Sequence, residues 1–460
     1  MKKLIPFFAL LVLFACSKES ATRVQTLDQF LQSQAQFNKF NGNVLVAEKG
    51  KVILQKSFGY ANFDTKELLN DTSVFELASV SKQFTAMGIL LLKKQGKLSV
   101  DDSLRKFFPE LPYHKITVHQ MLVHTSGLPD YMEVMDPKWD HKKIAFNNDM
   151  IAFLAKEKPV LYFKPGTKWE YSNTAYAILA SIIEKVSGQS YKDFLAKSIF
   201  EPLKMTHTRV FNTRRSGEKL SNYAYGYVWS DSLSRYVLPD SVKKIDVVYY
   251  LDGIVGDGTV NSTTEDLLKW ENSLQAGTLL DNGDIQNEML HEQSLMDTVA
   301  KAYYGYGVML AKNDFGKVIQ HSGGWPGYHT MLTNYPETDK TIIVLSNNES
   351  TAGAIANSIA NVLFGKTIEV AYEHKAIAFD STALLPFVGS YTYKNRGFEL
   401  VLNKDHVGFR RGEERKFFPE SATKIFSRDF DLQFELAKEK DSVKLYRIFY
   451  GVREEVKHNK

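Results

Sequence analysis

The sequence predicts an α+β protein: an antiparallel sheet flanked by helices, with a helical subdomain, followed by a small all-β, barrel-like domain. Three observations lead to this prediction. Strand patterns occur near the start of the chain and again at residues 318–346, and helical patterns dominate between them. Beyond residue 381, short strands separated by turns replace both patterns. Strands from the two ends of a domain, with helices between them, are typical of an antiparallel sheet packed against a helical region.

The first domain opens with a helix and a hairpin. An apolar pattern indicates a helix around Leu27–Phe37, and apolar and polar residues then alternate through Asn43–Gly59 around a central turn. Such alternation is typical of a β-hairpin. The apolar stretch Val80–Gln95 predicts a helix that ends with two lysines near its negative pole and a left-handed cap at Gly96.

The rest of this domain is helical in its middle and returns to strands at its end. We expect helices at Ile116–His124 and Ala175–Val186, and a closing helix at Gly353–Leu363. The later strands are expected at Val318–His321, Thr330–Tyr335 and Thr341–Ser346.

The C-terminal part has a different sequence pattern, with five short predicted strands. These are Phe387–Tyr393, Phe398–Leu402, Val407–Arg410, Phe430–Leu436 and Val443–Tyr450. This spacing indicates a small β-barrel or sandwich. We therefore expect one domain at residues 23–368, a linker at 369–380 and a β-rich domain at 381–460.

The overall composition is that of an ordinary globular protein. The 460 residues are 44% hydrophobic and 24% charged, with a net charge of +4. A chain of this length can bury a large core, and its nearly balanced charge predicts no nucleic-acid partner.

The N-terminus has the pattern of an export signal. Residues 1–15, MKKLIPFFALLVLFA, carry two lysines before an apolar run. This run is shorter than the roughly 20 residues that span a membrane, and it fits a secretory leader. The single cysteine of the chain, Cys16, follows at once.

The stretch Leu13–Cys16 resembles a bacterial lipobox, although Phe14 is bulkier than the residue usual there. This resemblance implies a protein lipidated at Cys16 and joined to its first domain by a polar tether at residues 16–22. We therefore expect it in a bacterial cell envelope, anchored to a membrane at the periplasmic face or outer surface. The alternative is an ordinary signal peptide that a cysteine follows by chance. A lone cysteine also excludes an internal disulfide.

A serine three residues before a lysine is the first candidate for catalysis. A hydroxyl needs a base within hydrogen-bond reach, and residues i and i+3 of a helix share a face. The pattern occurs at Ser79/Lys82, Ser103/Lys106, Ser216/Lys219, Ser241/Lys244 and Ser421/Lys424. Only Ser79 opens a long apolar helix, whose burial would lower the pKa of Lys82. We therefore favour this pair.

Further motifs follow Ser79 in a fixed order. Tyr171-Ser172-Asn173 comes first and His321-Ser322-Gly323 second. With Ser-x-x-Lys, this order resembles the serine β-lactamases and penicillin-binding peptidases, in the class C-like branch that includes esterases and D-amino-acid peptidases. Longer strings between about residues 37 and 364 also resemble this family: HTSGLP, FKPGTKWEYSN, EPLKM, GDGTVNSTTEDL and HSGGWPGY. The β-rich end resembles the lipocalin-like appendage of some members.

The resemblance implies catalytic roles for three residues. Ser79 would attack a carbonyl and form an acyl-enzyme. Lys82 and Tyr171 would share the general-base work, with Tyr171 protonating the leaving group, and the resemblance leaves open which of the two takes the first proton.

The resemblance also implies residues that bind substrate. Asn173 would hold the acyl amide of the substrate, and the backbone N–H groups of Ser79 and Gly324 would form an oxyanion hole. His321, beside Gly323, would line the strand edge opposite Ser79 and hold the far end of the substrate or polarise the tyrosine. The alternatives are a structural role for His321 and tight turns for the glycines.

Together these features imply an exported serine hydrolase that cleaves a small ester or amide, such as a D-amino-acid or cell-wall-derived peptide. Alternatives are a carboxylesterase or weak β-lactamase of the same family and, from another class, a catalytically silent envelope binding protein. β-Lactamases of this branch usually have lysine at the position of His321, and an unperturbed histidine is charged only below about pH 6.5. We expect no cofactor, and no metal-ligand pattern is visible in the sequence.

Overall fold

The computed structural model describes the backbone of residues 7–459 except 215 and 441, and the side chains from residue 21 onward with the same exceptions. These residues form two compact units, one of residues 41–353 and one of the residues up to 40 together with those from 354 onward. Residues 1–6 of the expected leader, and the side chains of its other residues and of Cys16, lie outside the described part of the chain. Within the part that is described, no helix is both long and apolar enough to cross a membrane.

The first helix, Phe7–Gln36, is longer than the helix predicted around Leu27–Phe37. The segment expected to be a tether therefore has a helical backbone. Leu27, Phe30 and Leu31 of this helix are fully buried. Its described side chains belong to the same unit as the C-terminal residues, and Gln34 Nε2 donates to Asp431 Oδ2 at 2.8 Å.

The predicted antiparallel sheet is confirmed and has eight strands. In spatial order they are Ser294–Asp297, Ala302–Tyr304, Met309–Asn313, Gly316–Trp325, Tyr328–Tyr335, Lys340–Ser346, Gly42–Glu48 and Lys51–Phe58. The predicted hairpin forms one edge, and its strand Gly42–Glu48 pairs antiparallel with Lys340–Ser346. Strands from the start and the end of residues 41–353 are thereby joined in one sheet.

Helices make up most of the chain between these strands. The α-helices after the first are Lys82–Lys94, Leu104–Phe107, Val118–Leu122, Tyr131–Met135, Asn147–Glu157, Asn173–Ser187, Tyr191–Leu195, Val247–Tyr250, Thr264–Ala276, Asn282–Asp284, Ala352–Leu363 and Ser381–Leu384. The helices within residues 41–353 share one core with the main sheet, in which Phe84, Tyr176 and Trp270 are fully buried, whereas Leu384 of the last helix belongs to the core of the C-terminal residues. The predicted helix at Val80–Gln95 begins only at Lys82, because a 3₁₀ turn, Ala78–Ser81, precedes it.

Short strands outside the main sheet complete the first unit. Phe75–Glu76 and Arg209–Val210 both pair with Val260–Ser262, and the pairs Tyr60–Asn62 with Glu67–Leu68 and Val228–Ser230 with Arg235–Val237 form two smaller sheets.

The C-terminal residues form a closed eight-stranded barrel, which confirms the barrel-like prediction over the sandwich. Its strands are Gly389–Tyr393, Arg396–Leu402, Val407–Arg410, Glu414–Ser421, Lys424–Ser427, Leu432–Glu439, Ser442–Phe449 and Val452–His458. Three of them, Glu414–Ser421, Lys424–Ser427 and Val452–His458, were not predicted. Phe387, which the prediction gave to the first strand, lies in a 3₁₀ turn instead.

Candidate active site

A strained turn carries Ser79 between a short strand and a long helix. Ala78 has a φ of +47°, in the left-handed region that residues with a side chain rarely adopt, at a cost of about 1–3 kcal/mol. Two neighbours hold Leu77 in place: its carbonyl oxygen accepts from Thr330 Oγ1 at 2.7 Å, and its N–H donates to the Val260 carbonyl at 2.9 Å. Ser79 is therefore presented from a backbone that the surrounding strands fix.

Lys82 begins the helix that follows and is fully buried. Its Nζ donates to Ser79 Oγ at 3.1 Å, to Asn173 Oδ1 at 2.9 Å and to the Asp257 carbonyl at 2.7 Å. Burial lowers the pKa of Lys82 to about 8, although the negative charges of Asp257 and Asp130 oppose this change. An amine with such a pKa is partly neutral at physiological pH and can accept a proton from the hydroxyl it contacts.

Tyr171 lies on the other side of the Lys82 amine, whose Nζ is 4.8 Å from the centre of the tyrosine ring. The Tyr171 hydroxyl is buried and makes no hydrogen bond of normal geometry to any described residue. Burial raises the pKa of Tyr171 far above that of a free phenol, and the nearby Ser79 hydroxyl offsets only part of the rise. Tyr171 is therefore a neutral phenol whose O–H is available to a bound molecule.

Two neighbouring glycines of the strand Gly316–Trp325 have different roles beside the turn that carries Ser79. A Cβ on Gly323 would lie 2.1 Å from the Leu77 carbonyl oxygen, so a side chain there would push the strand away. A Cβ on Gly324 would meet no atom within 4 Å, and Gly324 lines the same cavity as Ser79. The close approach depends on Gly323, whereas Gly324 faces open space.

This geometry occurs in a known family of proteins. Residues 28–364, well over half of the chain, match the family model described as Beta-lactamase. The chain belongs to the β-lactamase family. It is 38% identical over 439 residues to penicillin-binding protein 4* of Bacillus subtilis strain 168, which covers 93% of this chain and 97% of that protein. It is a serine hydrolase of this family.

Solved structures share the fold. The octameric penicillin-binding protein homologue from Pyrococcus abyssi has a TM-score of 0.67 and 26% identity, over 94% of this chain and all of that one. The D-amino acid amidase from Ochrobactrum anthropi SV3 has a TM-score of 0.62 and 22% identity, over 74% of this chain and 99% of its own. The match to the Pyrococcus abyssi protein covers 94% of this chain and therefore includes residues of both the β-lactamase-like part and the barrel.

His321 lies in the core of this β-lactamase fold and not in the lining of the cavity. It is 1% exposed, its Nδ1–H donates to the Ser322 carbonyl at 2.7 Å, and its Nε2 is 2.9 Å from the Tyr304 hydroxyl. Burial, followed by the charge of Lys82, lowers the pKa of His321 to about 3. An unperturbed histidine would be charged below about pH 6.5. Because burial lowers the pKa of His321, this expectation does not hold for it, and His321 is neutral throughout the physiological range.

The cavity beside Ser79 has a volume of about 70 Å³ and an acidic lining. Its polar and acidic lining residues are Glu76, Ser79, Asn173, Asp252, Asp257 and Thr259, and apolar residues such as Val248, Leu251 and Trp325 complete it. The sequence motifs had pointed to Ser79, Asn173 and Gly324. They had not pointed to the carboxyl groups, although Asp257 lies in the family-like string GDGTVNSTTEDL and Glu76 is three residues before Ser79.

Glu76 is the least satisfied of these carboxyl groups. Its side chain is only 8% exposed and makes no hydrogen bond or ion pair with any described residue. Burial raises the pKa of Glu76 to about 8, and the charge of Arg214 offsets part of this rise, whereas Asp252 and Asp257 add to it. Glu76 is therefore mostly protonated at pH 7; a positively charged group in the cavity would favour its ionised form and be stabilised by it, whereas an anion would keep it protonated.

The HTSGLP segment, residues 124–129, supports the Tyr171–Asn173 motif through hydrogen bonds. His124 is fully buried, and its Nδ1 accepts from the Ser172 N–H at 3.0 Å, next to Tyr171. The Thr174 hydroxyl donates to the Pro129 carbonyl at 2.7 Å. The two bonds hold the Tyr171–Asn173 motif at the start of its helix.

Proposed function

We propose that the protein is an exported hydrolase that cleaves a small amide or ester through an acyl-enzyme at Ser79, such as an amide next to a D-amino acid in a cell-wall-derived peptide. The observation that carries this proposal is the buried Lys82 amine, 3.1 Å from Ser79 Oγ and with a pKa near 8. The strained turn and the open space at Gly324 support it, since an attacking serine needs both a fixed position and room for the substrate.

Acylation proceeds in two stages. Ser79 Oγ attacks the carbonyl carbon of the substrate while its proton moves to the neutral Lys82 amine. The carbonyl oxygen becomes an oxyanion that accepts from the N–H groups of Ser79 and Gly324, each worth about 3–4 kcal/mol in comparable sites. The bond to the leaving group then breaks, Tyr171 gives its proton to that group, and the proton on Lys82 returns Tyr171 to its neutral form. Water attacks the ester in the same way and releases the acid and Ser79.

The assignment of the first proton to Lys82 follows from the two pKa shifts. Burial moves the pKa of Lys82 down towards neutrality and the pKa of Tyr171 up and away from it. A neutral Lys82 amine beside a neutral Tyr171 phenol is therefore lower in free energy than a charged Lys82 beside a Tyr171 tyrosinate. Lys82 acts as the base and Tyr171 as the proton donor.

The charged groups around the cavity indicate the class of substrate. Glu76, Asp252 and Asp257 line it, and the neutral, buried His321 provides no cation to hold a carboxylate. This environment favours a neutral substrate or one with a free amino group, and it disfavours the carboxylate of a β-lactam. A peptidase or amidase that acts on amino-acid derivatives fits best, and an esterase with the same residues is the second candidate because the nucleophile and oxyanion hole are common to both.

Covalent labelling tests the nucleophile. A fluorophosphonate probe should label the wild-type protein at Ser79 and fail to label Ser79→Ala. The matched control is Ser103→Ala, which belongs to another Ser-x-x-Lys pair, but one whose Lys106 Nζ is bound to Asp102 Oδ2 at 2.7 Å. That variant loses a helix cap, at about 1 kcal/mol, and should keep full labelling. Labelling that persists in Ser79→Ala would locate the nucleophile elsewhere.

A substrate panel tests the substrate class. D-Alanine p-nitroanilide, its N-acetyl derivative, a neutral acetate ester and a cephalosporin differ in charge and in the bond that is cleaved. We expect the highest kcat/KM for the free amine and the lowest for the cephalosporin. A cephalosporin that is cleaved fastest would overturn the proposed substrate class and leave the role of Ser79 standing.

We also propose that the protein is lipidated at Cys16 and held in the cell envelope. The lipobox-like stretch and the leader pattern of residues 1–15 support this proposal. Cys16→Ser should move the protein from the membrane fraction to the soluble fraction and abolish incorporation of a labelled fatty acid. Ser17→Ala, one residue further on, should change neither result, and an unchanged pattern for Cys16→Ser would exclude the anchor.

A further inference from the structure

The C-terminal barrel contains a cavity of its own, about 370 Å³ in volume. This size lies within the range of roughly 300–1,000 Å³ that is typical of small-molecule sites. Arg396, Phe398, Phe409, Arg447 and Phe449 line it. Residues two apart on a strand share a face, and these residues are in phase with the buried barrel core, so their side chains point inward.

Aromatic rings form the wall and floor of this cavity. The rings of Phe398 and Phe409, both in the lining, are 5.0 Å apart, and each packs on Phe434 below them, at 5.6 and 6.0 Å. Phe417 lies against Phe434 at 5.3 Å and is fully buried. The lower part of the cavity is thus an apolar surface that fits a hydrocarbon chain.

Arg447 brings a poorly compensated charge into this apolar space. Its side chain is 18% exposed, and its guanidinium carbon lies 4.7 Å above the Tyr393 ring and 4.3 Å above the Phe449 ring. Glu454 is the carboxylate closest to it among the described residues, at 3.9 Å, and that carboxylate also binds the Lys394 amine at 2.9 Å. Burial lowers the pKa of Arg447, which reflects how little anionic charge surrounds it.

Two further arginines add to this charge at the rim. Arg411 and Arg415 line the cavity, and neither forms an ion pair with a described residue. Arg415 stacks over the Phe430 ring, with its guanidinium carbon 4.8 Å from the ring centre, and the charge of Arg411 lowers the pKa of Arg447 further. Guanidinium groups bind carboxylates and phosphates through paired hydrogen bonds, so the rim has the chemistry to hold one anionic group.

We propose that the barrel cavity binds an anionic amphiphile, with its carboxylate or phosphate held by Arg411, Arg415 and Arg447 and its apolar chain against the phenylalanines. The site is independent of Ser79, because every residue that forms it lies in the barrel. Like charges gathered at the mouth of an apolar cavity repel one another, and an anion removes that repulsion while its chain buries apolar surface.

Calorimetric titration of the full chain with decanoate tests this proposal. The matched variants are Arg415→Gln and Arg428→Gln. Each removes one exposed arginine stacked on a phenylalanine of the same barrel, but Arg428, 3.9 Å from the Phe418 ring centre, is outside the cavity. A hydrogen bond to a charged group contributes about 1.5–3 kcal/mol, so Arg415→Gln should weaken binding about tenfold or more. Arg428→Gln should bind as the wild type does.

The ligands themselves supply the remaining controls. Decyl phosphate should also bind, and whichever of the two binds more tightly identifies the preferred head group. Acetate, which has no chain, and decyltrimethylammonium, which has the opposite charge, should bind much more weakly. The proposal fails if decanoate does not bind, if acetate or the cation binds as tightly as decanoate, or if the two arginine variants behave alike. Both variants should hydrolyse a chromogenic ester at the wild-type rate, which shows that they are folded.

Discussion

The pH dependence of acylation should report the ionisation of Lys82. With a pKa of about 8, roughly one Lys82 amine in eleven is neutral at pH 7 and half are neutral at pH 8. For a neutral substrate, kcat/KM should therefore rise about tenfold from pH 6 to 7, about fivefold from pH 7 to 8, and level off above pH 9. Tyr171 and His321 should add no inflection between pH 5 and 9, because their pKa values are shifted out of that range. Glu76 lines the cavity and also has a pKa of about 8, so the profile is measured in Glu76→Gln as well, where the inflection of Lys82 should remain.

A neighbouring charge allows the same prediction to be tested by mutation. Asp130 raises the pKa of Lys82, so Asp130→Asn should move the inflection to lower pH and increase kcat/KM at pH 7. Asparagine is a good substitute because Asp130 caps a helix by accepting from the Met132 N–H at 2.8 Å, and asparagine caps equally well. The control is Asp140→Asn, which removes an exposed carboxylate that is 53% accessible.

The assay is hydrolysis of a neutral chromogenic ester, measured as kcat/KM from pH 5 to 10 for the wild type and both variants. An inflection near 10 in the wild type would show that Lys82 has the pKa of an ordinary lysine, and a flat profile would show that it is not the base. A shift to higher pH in Asp130→Asn would contradict the electrostatic reasoning. Asp140→Asn should reproduce the wild-type profile.

Two further predictions concern the cavity beside Ser79. Gly323→Ala should lose most activity, because its Cβ would lie 2.1 Å from the Leu77 carbonyl oxygen. Gly324→Ala should fold normally, since no atom lies within 4 Å of its Cβ. Thermal unfolding and kcat/KM of the two variants check this prediction, and equal effects in both would contradict it. Glu76→Gln should lower the preference for a free-amine over an N-acetylated substrate severalfold, and Glu271→Gln, which alters another buried glutamate with a pKa of about 8, should leave that ratio unchanged. An unaltered ratio in Glu76→Gln would show that Glu76 does not contact the amine.

The hairpin at Asn43–Gly59 was predicted from the alternation of apolar and polar residues around a central turn. Burial in the fold does not follow that alternation, because Gly42–Glu48 is buried on both faces between two neighbouring strands, whereas Lys51–Phe58 is mostly half-buried or exposed. Val452–His458 was missed because Val452 and Val456 are the buried residues of that strand and their separation of four is as typical of a helix as of a strand. Ala302–Tyr304 was missed because three residues are too few to show a period.

The candidate site could be predicted where local spacing decides contact. Ser79 and Lys82 are one turn apart, so their hydrogen bond follows from sequence. The family resemblance pointed to Asn173 as a substrate-binding residue, but its contact with the Lys82 amine was not predicted. The state of His321 could not be predicted, because its lowered pKa follows from burial in the folded core and from the nearby charge of Lys82, which local spacing does not reveal. The acidity of the cavity depends in the same way on Asp252 and other residues brought together only by the fold.

The discontinuous unit of the chain has a consequence for the order of synthesis. The helix Phe7–Gln36 leaves the ribosome first, all of residues 41–353 come next, and the barrel that shares a unit with that helix comes last. The hydrolase residues are contiguous and can fold while the rest is being made, but Gln34 has no Asp431 to bind until the last 30 residues, 431–460, are being made. A chain that stops early would keep every residue of the Ser79 site and expose the apolar side of the first helix at Leu27, Phe30 and Leu31, a surface that chaperones and proteases can recognise.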